Sequence, residues 1–437
     1  MLNGHHPKLR RLRRQFGEAT HTALHLGQSV GRATPMPSGI RRRLSDQWGR
    51  EREPVRVALD HLLVGGQNRM NATAYADATG DLLWGSRTVA DGPHGRLLAL
   101  ASGATLSDSE ILASDYGLMA SRCIALSGQY FDAVDVAEVP RVARRFLADA
   151  GLDGSGQGSG SAELRPPHAS APDAPVRVAP VRGTDYYQVV DGHHRIALAS
   201  FRGQKDIEVV VDRVGVRTPL MAMLSRMTWI GGADERYQPL AAPELSAWPT
   251  VRACTDRFEA MRRLLADEGI GPGASYLDVA SCYGWFVAEM AAHGYDAHGV
   301  ERDPLAPRLG EAIYGLDPAR ISTGDAVELL GSATRTWDVV SCFSLLHHFA
   351  LGRASVGAEE LVRLLDGVTG RVLFLDTGQA HERWFAESLP EWDTAYVAKF
   401  LTTHGSFDRV VDLGPDIDDV EPYSGNYGRH LFACIRD

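Results

Sequence analysis

Two stretches of this sequence carry residue types at spacings that bear on chemistry. In Tyr276-Leu-Asp-Val-Ala-Ser-Cys-Tyr-Gly-Trp-Phe286, a carboxylate at Asp278 closes an apolar run and small residues follow at Ala280, Ser281 and Gly284. A chain that leaves a strand, turns sharply and enters a helix needs small residues there, and it presents backbone N–H groups to a ligand. About seventeen residues past Gly284, Glu301 ends the run Ala297-His-Gly-Val-Glu, at the spacing where a carboxylate accepts two ribose hydroxyls. A dinucleotide loop wants three glycines so that a pyrophosphate can approach. Two of those positions are Ala280 and Cys282, so the loop suits a ligand without phosphates.

The second stretch is Asp191-Gly192-His193-His194-Arg195, between the apolar runs Tyr186–Val190 and Ile207–Val211. Glycine, two imidazoles and a guanidinium at the start of a helix form an anion cradle, with the carboxylate of Asp191 beside it. A third cluster, His347 and His348, follows the apolar run Trp337–Cys342. Imidazoles at the end of a strand are suited to taking a proton from a hydroxyl or amine, and are equally suited to packing the loop.

The elements that must position these groups read as strand, turn, helix, strand around 276–303, the layout of a nucleoside-binding βαβ unit. Val372–Asp376 reads as a further strand, with Thr377, Gly378 and His381 on a loop beside an acceptor pocket. Gly405–Leu413 and Arg429–Ile435 read as a closing antiparallel pair, and Tyr423–His430 adds polar groups near the same pocket. Upstream, order is expected to begin at Val55 with a short strand running into a helix. Helices are expected over Asp108–Ser127, Val139–Ala150 and Ile196–Arg202, and residues 217–270 read as mostly helical. The Met-rich faces at Leu220–Leu224 and Met227 read as core filler. Arg257, in a helical pattern over Thr255–Glu268, is expected in a surface ion pair, with contact to a substrate anion as the alternative.

With these residues in view, the C-terminal part resembles class I S-adenosylmethionine-dependent methyltransferases. Leu277–Gly284 looks like their first motif, with Ala280 and Cys282 where the family usually has glycines. Gly299-Val-Glu301 is similar to the second motif. Gly324-Asp325-Ala326 resembles the third, whose acidic residue meets the adenine amino group, and Trp337–Phe349 resembles the fourth, whose loop faces the methyl group. The resemblance implies a Rossmann-like α/β domain over 271–437 that binds S-adenosyl-L-methionine through Asp278, Ala280, Ser281, Gly284, Glu301, Asp325, Ala326 and Phe343, with His347 and His348 as the catalytic candidates.

Residues 55–216 resemble the α+β ParB/sulfiredoxin-like fold, whose Gly-x-His-Arg loop holds nucleotide phosphates. His193 stands where sulfiredoxins carry their cysteine, and the Asp-Gly-His-His-Arg form looks closer to the free-serine kinase branch. This implies a nucleotide, ATP, ADP or CTP, held by Asp191, Gly192, His193, His194 and Arg195; a structural turn in a docking domain is the competing reading. The order of motifs in the C-terminal part is also similar to bacterial O-antigen chain-terminating enzymes, in which a methyltransferase is fused to a kinase.

At 437 residues the chain is expected to hold two domains. With 44% hydrophobic and 23% charged residues it has the composition of a soluble globular protein, and a cytoplasmic location is expected because no run matches a membrane span or a secretory segment. The five cysteines are scattered without CxxC spacing, which argues against a zinc site and a disulfide framework. Residues 1–56 hold twelve Lys/Arg and four Asp/Glu, a net of +8, so the remainder carries −18 to reach −10. The expected organisation is a basic disordered tail over 1–54, the ParB-like domain over 55–216 with a flexible Gly/Ser insertion at 151–175, a helical connector over 217–270, and the methyltransferase domain.

Three functions are compatible with this pattern. The first is O-methylation of a small molecule or glycan, with an accessory nucleotide-binding domain. The second is a bifunctional kinase-methyltransferase acting on a phosphorylated acceptor. The third is a nucleic-acid methyltransferase that uses the basic tail.

Overall fold

The computed structural model describes residues 53–68, 70–152, 175–227, 234–417 and 428–437. The basic tail, nearly all of the 151–175 insertion and most of Tyr423–His430 lie outside the described residues. In the N-terminal half a five-stranded mixed sheet forms from Val55–Ala58 (β1), Leu62–Leu63 (β2), Val176–Pro180 (β3), Tyr187–Asp191 (β4) and Asp206–Val211 (β5), in the order β1-β5-β3-β4-β2. β1 turns through a 3-10 segment, Leu59–His61, straight into β2, and the first helix starts only at Ala72. The strand-to-helix start expected at Val55 is therefore corrected.

The single helix expected over Asp108–Ser127 is two helices, Asp108–Ala113 and Asp115–Ser127. Ser114 separates them: its N–H donates to the Glu110 carbonyl, closing the first helix, while its hydroxyl accepts from the Gly117 N–H and caps the second. Serine competes with the helix backbone in this way and favours caps over interiors. The helix Val139–Asp149 buries Val139, Val142, Ala143, Phe146 and Leu147 on one stripe, the 3.6-residue spacing that seats a helix on a core. Phe146→Ala would remove the largest of these side chains and cost about 3–5 kcal/mol.

The C-terminal sheet has seven strands: Ser275–Val279 (β6), Asp296–Glu301 (β7), Ile321–Thr323 (β8), Trp337–Cys342 (β9), Thr369–Leu375 (β10), Arg409–Pro415 (β11) and His430–Ile435 (β12). Their order is β11-β12-β10-β9-β6-β7-β8, with β10, β9, β6, β7 and β8 parallel and β12 antiparallel to both of its neighbours. The chain runs outward from β6 through β7 to β8 and then returns to β9 on the other side of β6. The strand order therefore reverses between β6 and β9, and ligands of open α/β sheets bind outside the carboxyl ends of the strands at such a reversal.

Between the sheets, residues 217–270 are not mostly helical. Among the described residues of this stretch, helices cover only Pro219–Leu224 and Thr255–Asp267, with one 3-10 turn at Pro243–Leu245. The stretch from 234 to 254 is a strap of two extended segments held side by side: Arg236 N–H donates to the Pro249 carbonyl, Val251 N–H to Arg236 and Arg252 N–H to Tyr237. Pro239, Pro243 and Pro249 remove backbone donors and fix φ, which prevents a continuous helix. The Met-rich faces are buried, with Met221, Met223 and Met227 in the same apolar cluster as Leu63, Leu82 and Val181 and the strap residues Leu240, Leu245 and Trp248. One apolar cluster joins Leu63 and Val181 to the strap and to one face of the C-terminal sheet, a second lies on the N-terminal sheet and a third on the other face of the C-terminal sheet; residues 54–437 form a single compact unit.

Candidate functional site

The loop after β6 is built from backbone conformations that side chains rarely adopt. Ala280 has φ 63°, Cys282 φ 57° and Gly284 φ 90°. At Gly284 a Cβ would also stand 2.7 Å from Ile321 Cδ1. Non-glycine residues held at positive φ cost on the order of 1–3 kcal/mol each and persist where the surroundings over-determine them. Here Glu301, at the end of β7, supplies part of that constraint. Its Oε2 accepts from the Cys282 N–H at 2.9 Å and its Oε1 from the Asp303 N–H at 3.0 Å. Burial raises the Glu301 pKa, offset by these backbone donors. Gly299, two residues earlier, leaves room for Ser281, whose Oγ would lie 2.6 Å from a Cβ at that position.

Asp278 is buried in β6 and accepts from Ser341 Oγ at 2.7 Å. Burial pushes its pKa up to about 7, against the Ser341 bond, and the neighbouring Glu301 charge adds to the rise. Asp325 lies two residues past β8, where it caps the helix Ala326–Ser332 by accepting from the Val327 N–H at 2.9 Å. The carboxylates expected from the sequence thus stand at or just past the carboxyl ends of β6, β7 and β8, three neighbouring strands.

Residues whose contacts the sequence did not give complete the site, among them the stretch Tyr237-Gln-Pro, which the methyltransferase resemblance places where segments close over the ligand. Gln238, on the strap, lies across the loop: its backbone N–H donates to the Tyr283 hydroxyl at 2.7 Å, its side-chain Nε2 to the Ser281 carbonyl at 3.3 Å, and its Oε1 accepts from the Trp285 N–H at 3.2 Å. On the opposite side of β6, Asp376 lies immediately after β10. Its carboxylate accepts from Arg257 Nε at 2.5 Å and from the Ser344 N–H at 2.7 Å. Burial would raise its pKa, but Arg257, Arg429 and Arg252 outweigh that and hold it at about 2. Ser344, at φ 55°, also accepts from Arg429 NH1 at 2.8 Å. Arg257 is therefore in a buried ion-pair network, with Asp416 Oδ2 at 2.7 Å as its second carboxylate, and not in the surface pair that its helical setting suggested.

Gln238, Arg252, Arg257, Asp278, Ser344 and Asp376 surround a cavity of about 20 Å³, with Ala280 and Phe343 also on its wall. That is room for about one water and far less than a nucleoside fills. The residues fit a sulfonium nucleoside in kind. A carboxylate stands at each of three adjacent strand ends, the turn lacks the glycines a pyrophosphate needs, and the buried Ser281 Oγ has no hydrogen-bond partner among the described residues.

The histidines divide. His347 is buried, and its Nδ1 accepts from the Gly378 N–H at 3.1 Å while its ring packs on Phe385. Burial, with Arg429 and His348 adding to it, pushes its pKa down to about 2, so it stays neutral and serves as an acceptor for the loop after β10. His348 is exposed, and its pKa is lowered by partial burial and by Arg353.

In the N-terminal half, Gly192 (φ 110°) starts the helix His193–Phe201 directly after β4. Both imidazoles turn into the domain. His193 Nε2 accepts from the Gly65 N–H at 3.0 Å, and His194 Nε2 lies 2.9 Å from the Tyr116 hydroxyl. With His94 they form a cluster of rings in which His94 and His193 are buried and His194 is half-buried, and loss of solvent pushes the pKa of His193 and His194 down to about 3. The cradle expected from Asp191 to Arg195 is corrected accordingly. Its two imidazoles face the core, and at the surface Arg195 pairs with Asp191 at 3.3 Å.

No protein-family model matches the chain, and no curated protein matches it. Among solved structures it is similar to WbdD, at 18% identity over 49% of this chain and 46% of that one, with a TM-score of 0.38; another structure of WbdD describes it as a bifunctional kinase-methyltransferase. It is similar to the magnesium protoporphyrin IX methyltransferase ChlM of Synechocystis PCC 6803 with bound SAM, at 19% identity over 43% of this chain and 82% of that one, TM-score 0.31. A SAM-dependent methyltransferase from Archaeoglobus fulgidus matches at 13% identity over 42% and 95%, TM-score 0.29. The chain spans less than half the length of WbdD.

Proposed function

We propose that the chain is an S-adenosyl-L-methionine-dependent methyltransferase that methylates an oxygen of a small molecule or glycan. The observation that carries this reading is the row of carboxylates Asp278, Glu301 and Asp325 along β6, β7 and β8, beside the reversal of strand order in a sheet whose last strand is antiparallel. When bound, the cofactor supplies a methyl group already activated on a sulfonium.

The chain's own residues bind, orient and exclude water. Glu301 accepts the ribose hydroxyls and Asp325, with Ala326, meets the adenine edge. Ala280, Ser281 and Gly284 give the backbone a close approach, and Phe343 with Gln238 walls the cavity against solvent. The exposed imidazole of His348, neutral at pH 7 because its pKa is lowered, takes the acceptor's proton. His348→Ala should then lower kcat about a hundredfold. A phosphate-oxygen acceptor needs no base, and an unchanged rate in that variant would select it instead.

For residues 55–216 we propose support of the strap in place of phosphoryl transfer. Glu244, fully buried in the strap, accepts from Ser86 Oγ at 2.5 Å and Thr218 Oγ1 at 2.9 Å, which bolts the strap to the N-terminal half. Phosphate transfer from ATP, ADP or CTP is expected to be absent; transfer that disappears in Arg195→Ala would restore the bifunctional reading. Salt-sensitive nucleic-acid binding lost on deletion of residues 1–54 would favour the third function, which the −18 carried by the rest of the chain opposes. No described helix is long and apolar enough to cross a membrane. The test of the leading reading is binding: S-adenosylhomocysteine should associate with the chain, and S-adenosylmethionine should lose its methyl group to an acceptor.

A further inference from the structure

The strap borders a second space. Tyr237, Gln238 and Arg252 line the small cavity beside β6, whereas Arg236, Leu240, Trp248 and Pro249 line an open cleft of about 880 Å³, together with Ile313 and Tyr314 from the end of the helix Ala306–Tyr314. No described residue lines both. The cleft has the size of a small-molecule site, about 300–1,000 Å³, and the same make-up, apolar and aromatic walls with a few polar groups to fix orientation.

Arg236 is the one charged group among the described residues that line it. Its guanidinium ties the two segments of the strap together, donating from Nε and Nη2 to the Trp248 carbonyl at 3.2 and 2.8 Å and from Nη1 to the Leu240 carbonyl at 2.9 Å. These bonds use one N–H on each nitrogen and leave a second on each terminal nitrogen. Among the described residues Arg236 meets no carboxylate, and loss of solvent lowers its pKa. A partly desolvated cation held only by carbonyl dipoles gains from an anion that settles beside it. One cation with no acid near it on an apolar wall suits a single carboxylate; a phosphate chain brings more negative charge than one guanidinium balances.

We propose that this cleft binds an apolar carboxylate, an aryl or alkyl acid whose anion pairs with the remaining N–H groups of Arg236 while its hydrocarbon part packs on Trp248, Leu240 and Tyr314. The site stands independently of the methyltransferase reading, yet it adjoins the support of the β6 turn. The Pro239 carbonyl, on the cleft side, accepts from the Tyr314 hydroxyl at 2.6 Å, and the preceding residue, Gln238, exchanges two hydrogen bonds of 2.7 Å with the Tyr283 hydroxyl. An occupant of the cleft therefore bears on the same segment that braces the turn.

Calorimetric titration of the full chain with phenylbutyrate and with its uncharged amide, phenylbutyramide, tests this. The parent should bind the acid about tenfold more tightly than the amide, the scale of a charge-assisted hydrogen bond, and equally well with S-adenosylhomocysteine present. Ala247→Trp places a large side chain in the cleft from an exposed wall position, leaves the bonds of Arg236 in place and should abolish binding of the acid. Arg236→Gln should bring acid and amide to within about threefold; if either variant does not fold, the other decides. No binding of the acid by the parent, equal affinity for the two compounds, displacement of the acid by S-adenosylhomocysteine, or undiminished binding in Ala247→Trp overturns the site.

Discussion

Two strand-to-helix turns in this molecule carry similar residues and do opposite things. After β4 the chain passes from Asp191 through Gly192, at φ 110°, directly into a helix. After β6 it passes from Val279 through five residues, two of them non-glycine at positive φ, before its helix starts at Trp285. The short turn gives its side chains no choice of face. The first turn of the helix carries His193 and His194 into an aromatic core with His94, Tyr116 and Phe146. The long turn is itself buried, and its backbone groups meet Glu301 at Cys282 and Gln238 at Ser281 and Trp285. An acid, a glycine and polar side chains in sequence therefore do not by themselves make a site; the conformation of the turn decides which of them face the core and which backbone groups are left to be met by other segments.

Ways to break that contrast differ in size. The largest effect is expected at the buried ion pairs behind the β6 turn. Arg257→Met leaves Asp376 and Asp416 without their shared guanidinium and should destabilise the chain by about 3–5 kcal/mol, read from denaturant midpoints.

The β4 turn should show itself through pH. His193 and His194, with folded pKa values of about 3, and His94, held well below the usual imidazole value by burial and by those two rings, stay neutral in the folded chain but protonate near 6.5 once unfolded. The unfolded chain then binds more protons, so stability is fully present above pH 6.5 and is lost as pH falls toward 3. The slope is about 1.4 kcal/mol per pH unit for each imidazole. His94→Leu should flatten it, since neither His94 ring nitrogen has a hydrogen-bond partner among the described residues. A melting temperature independent of pH between 6.5 and 5 would show that these rings are not buried as neutral groups.

A smaller effect is expected in the β6 turn itself, where Ala280→Gly should stabilise by about 1 kcal/mol by releasing positive-φ strain. The smallest concerns His347. It is neutral throughout the working range because its pKa is about 2, so a pH–rate profile between 5 and 8 should carry no inflection that disappears in His347→Asn.

The same contrast explains what could be read from the sequence. Asp278, Ala280 and Glu301 sit within one local run of strand, turn, helix and strand, and Asp325 follows the next strand, so their spacing along the chain places them without knowledge of distant contacts. Gln238, Arg252 and Asp376 reach the cavity only through tertiary packing, more than twenty residues from the β6 turn along the chain. Nothing periodic marks them. The strap did leave a signal, because three prolines within 239–249 oppose a helix, and that signal loses to the apolar periodicity flanking it on both sides. The inward histidines could not be foreseen for a different reason: residue type fixes what an imidazole does at a phosphate, while the face it takes depends on helix phase set by Gly192.

Everything proposed for the C-terminal sheet turns on whether Glu301 grips the sugar of an adenosyl ligand. Titration of the full chain and of Glu301→Gln with S-adenosylhomocysteine addresses it most directly, because the amide keeps an acceptor for the Cys282 or Asp303 N–H and so preserves much of the turn. Saturable heat in the parent and a loss of affinity of about tenfold to a hundredfold in the variant are expected. Equal affinity in the two proteins, or no heat in either, contradicts Glu301 as the anchor.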